Sequence, residues 1–252
     1  MRKYIWLVAG TFLTMLLFAA GPMWAQGDRS PEADRLLQGM MTQFKQEQSL
    51  SFDIRYRYSM ATSPGIFLDS LNGTFKSSGG RMWYRLDSTE TLLAKELTVI
   101  VFHEDRLIYL SRPAAGATQM NPAALLDSML LKYKGMKASV SGKPGAQVLH
   151  LDMPPGTTYK KIDYYFGKAG YFPARVMCLV PSKALLDPAV QPKELSDEWC
   201  WVEVTFQNVR TEKIDDSVFA TDRYILRKEK EFVPAPAFAT YRVFIGAPEL
   251  ND

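Results

Sequence analysis

Ser51-Phe52-Asp53-Ile54-Arg55-Tyr56-Arg57-Tyr58-Ser59-Met60 alternates large apolar side chains with charged or small polar ones, without a break. A period of two belongs to an extended strand, whose successive side chains point to opposite faces. Phe52, Ile54, Tyr56, Tyr58 and Met60 therefore share an apolar face, and Asp53, Arg55, Arg57 and Ser59 a wet one. Clean alternation of this kind marks an antiparallel sheet with one solvated side. Upstream the period is helical. Leu36, Leu37, Met40, Met41 and Phe44 recur at three- and four-residue spacing across Pro31 to Glu47, behind a Ser30-Pro31 cap.

Downstream the strand signal repeats at short intervals, over 66–77, 81–88, 92–102 and 107–111. Ser78-Gly79-Gly80 is a tight turn and His103-Glu104-Asp105-Arg106 a polar hairpin loop. Asn121-Pro122 opens a second helix carrying Leu125, Leu126, Met129, Leu130 and Tyr133. Strands resume over 136–141, 147–152, 159–166, 172–180, 199–211, 224–233 and 240–245, and Asp215 to Phe219 is a single helical turn. No repeat, linker or shift in composition divides the chain. The expected architecture is mainly β, a single antiparallel curved sheet or half-open barrel of roughly ten to twelve strands, with two or more helices over its concave face.

The first 25 residues have the plan of a secretory signal peptide. Arg2 and Lys3 form the charged start, Tyr4 to Ala20 the apolar run, and Ala25 a cleavage position. An uncleaved anchor is the competing reading, although the run is at the short end for a membrane span. The expectation is thus a cleaved signal peptide over 1–25 and one domain over 26–252 in the periplasm, with a Pro-rich extension over about 233–252. With 47 % hydrophobic and 23 % charged residues the composition is that of an ordinary globular protein. Without the leader, 28 basic residues face 27 acidic ones, which excludes a general attraction to nucleic acid. Cys178 and Cys200 fall on same-facing positions of neighbouring predicted strands. In an oxidising compartment they are disulfide candidates, and two reduced core thiols are the alternative.

The chemistry of catalysis is sparse. There are two histidines, His103 in the hairpin loop and His150 between Leu149 and Leu151, and neither has metal-ligand spacing. No nucleophile elbow, phosphate loop or dinucleotide fingerprint is present. Both histidines read as surface residues, Asp215-Asp216 as the cap of the following turn, and Lys132, Lys134 and Lys137 as a solvated basic patch. The expectation is a non-enzyme with no cofactor and no metal. Nine methionines remain after the leader, beside many aromatics, and methionine suits adaptable apolar surfaces. Phe52, Ile54, Tyr56, Tyr58 and Met60 on one strand and Met82, Tyr84 and Leu86 on another are the candidate lining of a hydrophobic cavity, with a filled core as the alternative. Leu125, Leu126 and Met129 are the candidate lid.

The order of elements resembles the LolA/LolB-like family of periplasmic lipoprotein carriers. The likeness rests on an opening helix running into Ser51-Phe52-Asp53-Ile54. It continues with Gly73-Thr74-Phe75-Lys76 turning through Gly79-Gly80 into Arg81-Met82-Trp83-Tyr84-Arg85, then the 103–106 hairpin, the helix from Asn121, and Asp216-Ser217-Val218-Phe219. It covers about 33–226. Asp53-Ile54-Arg55 stands where carriers have a Phe-x-Gln element, and the chain runs on past the family's usual end. The resemblance implies an incomplete barrel over an apolar cavity that holds lipoprotein acyl chains or another lipid. It implies a monomer that meets a membrane-bound donor or acceptor protein. The alternative function is a non-enzymatic scaffold or accessory subunit of an envelope or secretion assembly, docked through the 181–198 loop or the C-terminal tail.

Overall fold

A computed structural model describes residues 29–46, 49–113, 135–168, 170–185, 199–229 and 231–246. The expected signal peptide, the second predicted helix with Leu125, Leu126 and Met129, and most of the 181–198 loop lie outside the described residues. One α-helix, α1 (Pro31–Gln46), is found among them. Fourteen strands follow in chain order: β1 (Ser49–Met60), β2 (Phe67–Ser78), β3 (Arg81–Leu86), β4 (Thr89–Leu93), β5 (Thr98–Phe102), β6 (Leu107–Ser111), β7 (Lys137–Lys143), β8 (Ala146–Asp152), β9 (Lys161–Phe166), β10 (Pro173–Pro181), β11 (Trp199–Arg210), β12 (Ile225–Lys228), β13 (Glu231–Pro234) and β14 (Arg242–Ile245).

Twelve of these form one sheet in the order β14-β6-β5-β4-β3-β2-β1-β11-β10-β9-β8-β7, and β12 and β13 pair as a hairpin. The order is open, with β14 and β7 at its ends. The sheet is mixed and not antiparallel throughout, because β14 runs parallel to β6 in the register Arg242↔Leu107 to Ile245↔Leu110. Parallel neighbours need a crossover, and the long return after β6 supplies it. Two predicted strands are corrected. The 92–102 segment contains the end of β4 and all of β5, turned at the exposed pair Lys95-Glu96, where Ala94 N donates to Leu97 O at 2.9 Å. The 224–233 segment is likewise the hairpin of β12 and β13. Gly79 and Gly80, at φ 57° and 76°, make the expected two-residue turn, which requires positive φ at both positions.

The chain divides into two compact units. In the first (1–46, 54–71 and 121–207), α1 presents Ala33, Leu36, Leu37, Met40 and Met41 inward, all buried. Ser30 caps it as expected, its Oγ accepting from Ala33 N at 3.2 Å. Burying each large side chain of that stripe contributes about 1.5–3 kcal/mol, far more than helix propensity supplies. The core-facing sheet residues lie in cross-strand rows fixed by register. One row is Ala138, Leu151, Ile162, Cys178 and Val202. Its neighbour starts at the half-buried Val140 and runs through Leu149, Tyr164, Val176 and Val204, all buried.

The second unit (47–53, 72–120 and 208–252) has its own core. Leu92, Val99, Val101, Ile108 and Leu110 from β4 to β6 pack with Phe219, Tyr224 and Ile225, and Phe232, Phe238, Tyr241 and Val243 close around them. The described part of the expected C-terminal extension is thus built into this core. Ala235 is buried and Gly246 N donates to Leu110 O at 2.8 Å.

Candidate functional site

The parity of β1 puts its predicted lining on one side. Phe52, Tyr56, Tyr58 and Met60 are buried, and Ile54 is partly exposed. Within the first unit, Cys200 Sγ lies 3.6 Å from Met60 Sδ, so both belong to the apolar face. On the other face Arg57 Nε donates to Glu203 Oε1 at 2.8 Å, and Arg175 reaches Glu203 Oε2 at 3.7 Å. In the second unit, Phe52 stacks on Phe75 with ring centroids 4.7 Å apart. Met82 and Leu86 are buried, while Tyr84 keeps partial exposure. Desolvation raises the Tyr84 hydroxyl above its ordinary range, partly opposed by a hydrogen bond with Thr91.

No disulfide joins Cys178 and Cys200; both are buried thiols. They share a face, as expected, but register separates them. Cys178 stands opposite Val202 and Cys200 opposite Val180. Diagonal neighbours of this kind are about 7–8 Å apart, and a disulfide needs Cβ atoms at roughly 4 Å. Burial pushes the Cys178 thiol up to about 12, and the Asp163 charge adds to the shift. That thiol should therefore be inert toward thiol reagents at pH 8 in the native protein. After denaturation both cysteines should react, and a total of zero would contradict the register.

His103 is not a solvated turn residue. It joins a cluster in the second unit around the buried carboxylate of Glu90. Trp83 Nε1 donates to Glu90 Oε1 at 2.6 Å and also lies 3.0 Å from Tyr224 Oη. The Tyr224 hydroxyl donates to the same carboxylate oxygen. His103 Nε2 is 3.3 Å from Glu90 Oε2 and its Nδ1 is 3.0 Å from Tyr241 Oη. Arg223 Nη2 stands 3.9 Å from Glu90 Oε1, and Phe238 packs against His103, Tyr224 and Tyr241. Desolvation raises the Tyr224 hydroxyl, the Glu90 bond and charge adding to it, with Arg223 and Trp83 opposing. The groups are engaged with one another, so the cluster ties the strands of this unit together.

His150 lies on the wet face, as expected, but it is engaged between Ser141 and Asp163. Asp215 caps its turn, its Oδ1 accepting from Ser217 N at 2.8 Å, and hydrogen bonding from the Ser217 side chain first and its backbone second holds the carboxyl below the usual range. Among the described residues no group of three or more His, Cys, Asp or Glu side chains could hold a metal ion. No described helix is long and apolar enough to cross a membrane. Ile66, Phe67 and Leu68 are exposed where β1 turns into β2, with the Arg57 guanidinium 4.2 Å over the Phe67 ring. Sequence reasoning gives this tip no role. The signal that could have found it is three consecutive apolar residues behind Pro64-Gly65, which break the alternation on both sides.

The chain matches no family model and no curated protein. It is similar to solved structures at low identity. An uncharacterized conserved protein from Thermus thermophilus is 9 % identical with a TM-score of 0.44, over 85 % of this chain and 99 % of that one. Lipoprotein LppX from Mycobacterium tuberculosis is 9 % identical with a TM-score of 0.39, over 74 % and 98 %. A LolA superfamily protein from Nitrosomonas europaea is 11 % identical with a TM-score of 0.35, over 75 % and 98 %.

Proposed function

We propose that this protein is an exported, monomeric carrier that holds lipoprotein acyl chains or another hydrophobic ligand without covalent chemistry. The observation behind this reading is the apolar face of the first unit. There α1 turns Leu36, Leu37, Met40 and Met41 inward, and β1 contributes Ile54, Tyr56, Tyr58 and Met60 to the same unit. In the second unit Phe52, Met82, Tyr84 and Leu86 offer a like surface. Methionine and tyrosine adapt to a chain of uncertain length better than branched side chains do. Each methylene removed from water is worth about 0.8 kcal/mol, so ten of them supply about 8 kcal/mol before ordering costs. The Ile66-Phe67-Leu68 tip suits contact with a membrane-bound donor or acceptor, since exposed apolar patches mark interaction sites.

A fluorescent fatty acyl probe tests this. The wild-type protein should take it up, and Ile54→Glu should weaken uptake at least about tenfold, because a carboxylate on that face must be desolvated. Gln207→Glu, an exposed substitution in the same unit, should leave uptake unchanged. No uptake by the wild type, or equal loss in both variants, would sink the proposal.

A further inference from the structure

Register on the wet face of the first unit sets Ser139, His150, Asp163, Met177 and Glu203 in one row across β7 to β11. Ser141 is two residues beyond Ser139 and shares its face. It is Ser141 that reaches the histidine, with Oγ 2.7 Å from His150 Nε2. His150 Nδ1 is 2.6 Å from Asp163 Oδ1. A carboxylate only accepts, so Nδ1 carries the proton and donates it to Asp163. In the neutral imidazole Nε2 then carries the lone pair and accepts from the serine hydroxyl. Lys161 Nζ lies 3.1 Å from Asp163 Oδ2 and holds the second carboxylate oxygen. Asp163 is buried, His150 partly exposed and Ser141 exposed, so burial deepens from the nucleophile to the orienting acid.

We propose that Ser141, His150 and Asp163 act as a nucleophile, base and orienting acid toward small activated acyl esters. This activity would be distinct from ligand carriage and on the opposite face of the sheet. The three roles and their hydrogen bonds are those by which such a triad is recognised whatever the fold. In the first step Ser141 Oγ bonds to the acyl carbon and its proton passes to His150 Nε2. The ester C–O bond breaks, and the departing alkoxide takes that proton. In the second step water gives a proton to His150 and its oxygen bonds to the acyl carbon. The serine ester breaks and Ser141 recovers the proton, so one ester and one water give one acid and one alcohol. Ser141 is exposed on its strand, which fits a short acyl group and modest turnover.

The test uses the mature protein, p-nitrophenyl acetate and a fluorophosphonate probe. The wild type should hydrolyse the ester at least about tenfold faster than Ser141→Ala or His150→Gln. The probe should add to Ser141, located by peptide mass. Ser141→Ala changes an exposed side chain, so its melting temperature should match the wild type and keep the comparison valid even if His150→Gln unfolds. Equal hydrolysis by wild type and Ser141→Ala would overturn the proposal, as would a wild type without adduct or an adduct on Ser139.

Discussion

Replacing Tyr224 with alanine is expected to destabilise the second unit by about 3–5 kcal/mol, the range for emptying the site of a buried aromatic ring. The side chain is 1 % exposed and sits in the core with Leu92, Val99 and Ile108. Its removal leaves a cavity, and it also takes from the buried Glu90 carboxylate one of its donors, a separate desolvation loss. Tyr224→Phe keeps the ring and loses only the hydroxyl, so its effect should be smaller, about 1–3 kcal/mol. Both variants also differ from the wild type at high pH, because neither carries the titrating hydroxyl. Tyr224 titrates higher in the folded state than its unfolded value near 10. Its contribution is therefore complete below pH 10 and is lost as pH rises beyond it. Tyr84 and Tyr164 are shifted the same way by burial, so stability should fall in strong alkali. Tyr224→Phe should flatten that fall in part. Urea melts at pH 8 and pH 11 measure both effects. An alanine variant as stable as the wild type would contradict the packing described.

Ending the chain after Phe232 is expected to unfold the second unit. The cut removes β14, which completes the β6 edge, and part of β13. It removes Phe238 and Tyr241, which pack on Tyr224 and His103, and the bond from Ala235 N to Tyr224 O. It also exposes Ile108 and Leu110, which are fully buried. Losses of this breadth exceed what any single substitution does. Limited proteolysis should show rapid cleavage within 72–113 in the truncated chain and protection in the full one. Equal protection would show that the segment is a dispensable tail. A tail of that kind is one of the docking segments that the scaffold alternative names.

Local signals are legible in the sequence and non-local ones are not. The alternation in β1 tells which side chains share a face, because parity is a property of the strand alone, but it does not fix burial: Ser59 of the wet face is buried and Ile54 of the apolar face is partly exposed. The stripe and cap of α1, and the Gly79-Gly80 turn, are readable for the same reason. The splits at Lys95-Glu96 and within 224–233 escape it because a charged pair flanked by apolar residues continues a strand as easily as it turns one. The cysteine pair shows where parity stops. Parity places both thiols on one face, but pairing register decides distance, and register comes from the partner strand. The Glu90 cluster is invisible because His103 meets it from the next hairpin and Tyr224 and Tyr241 from the far end of the chain. The Ser141-His150-Asp163 chain is hidden likewise. The period places His150 on the correct face, but its neighbours come from β7 and β9.

The carrier reading is tested most directly by native mass spectrometry of the protein purified without detergent, followed by organic extraction. A bound acylated molecule is expected, present in the wild type and lost in Tyr58→Asp. A bare polypeptide mass in both proteins, with no acyl species in the extract, would contradict it.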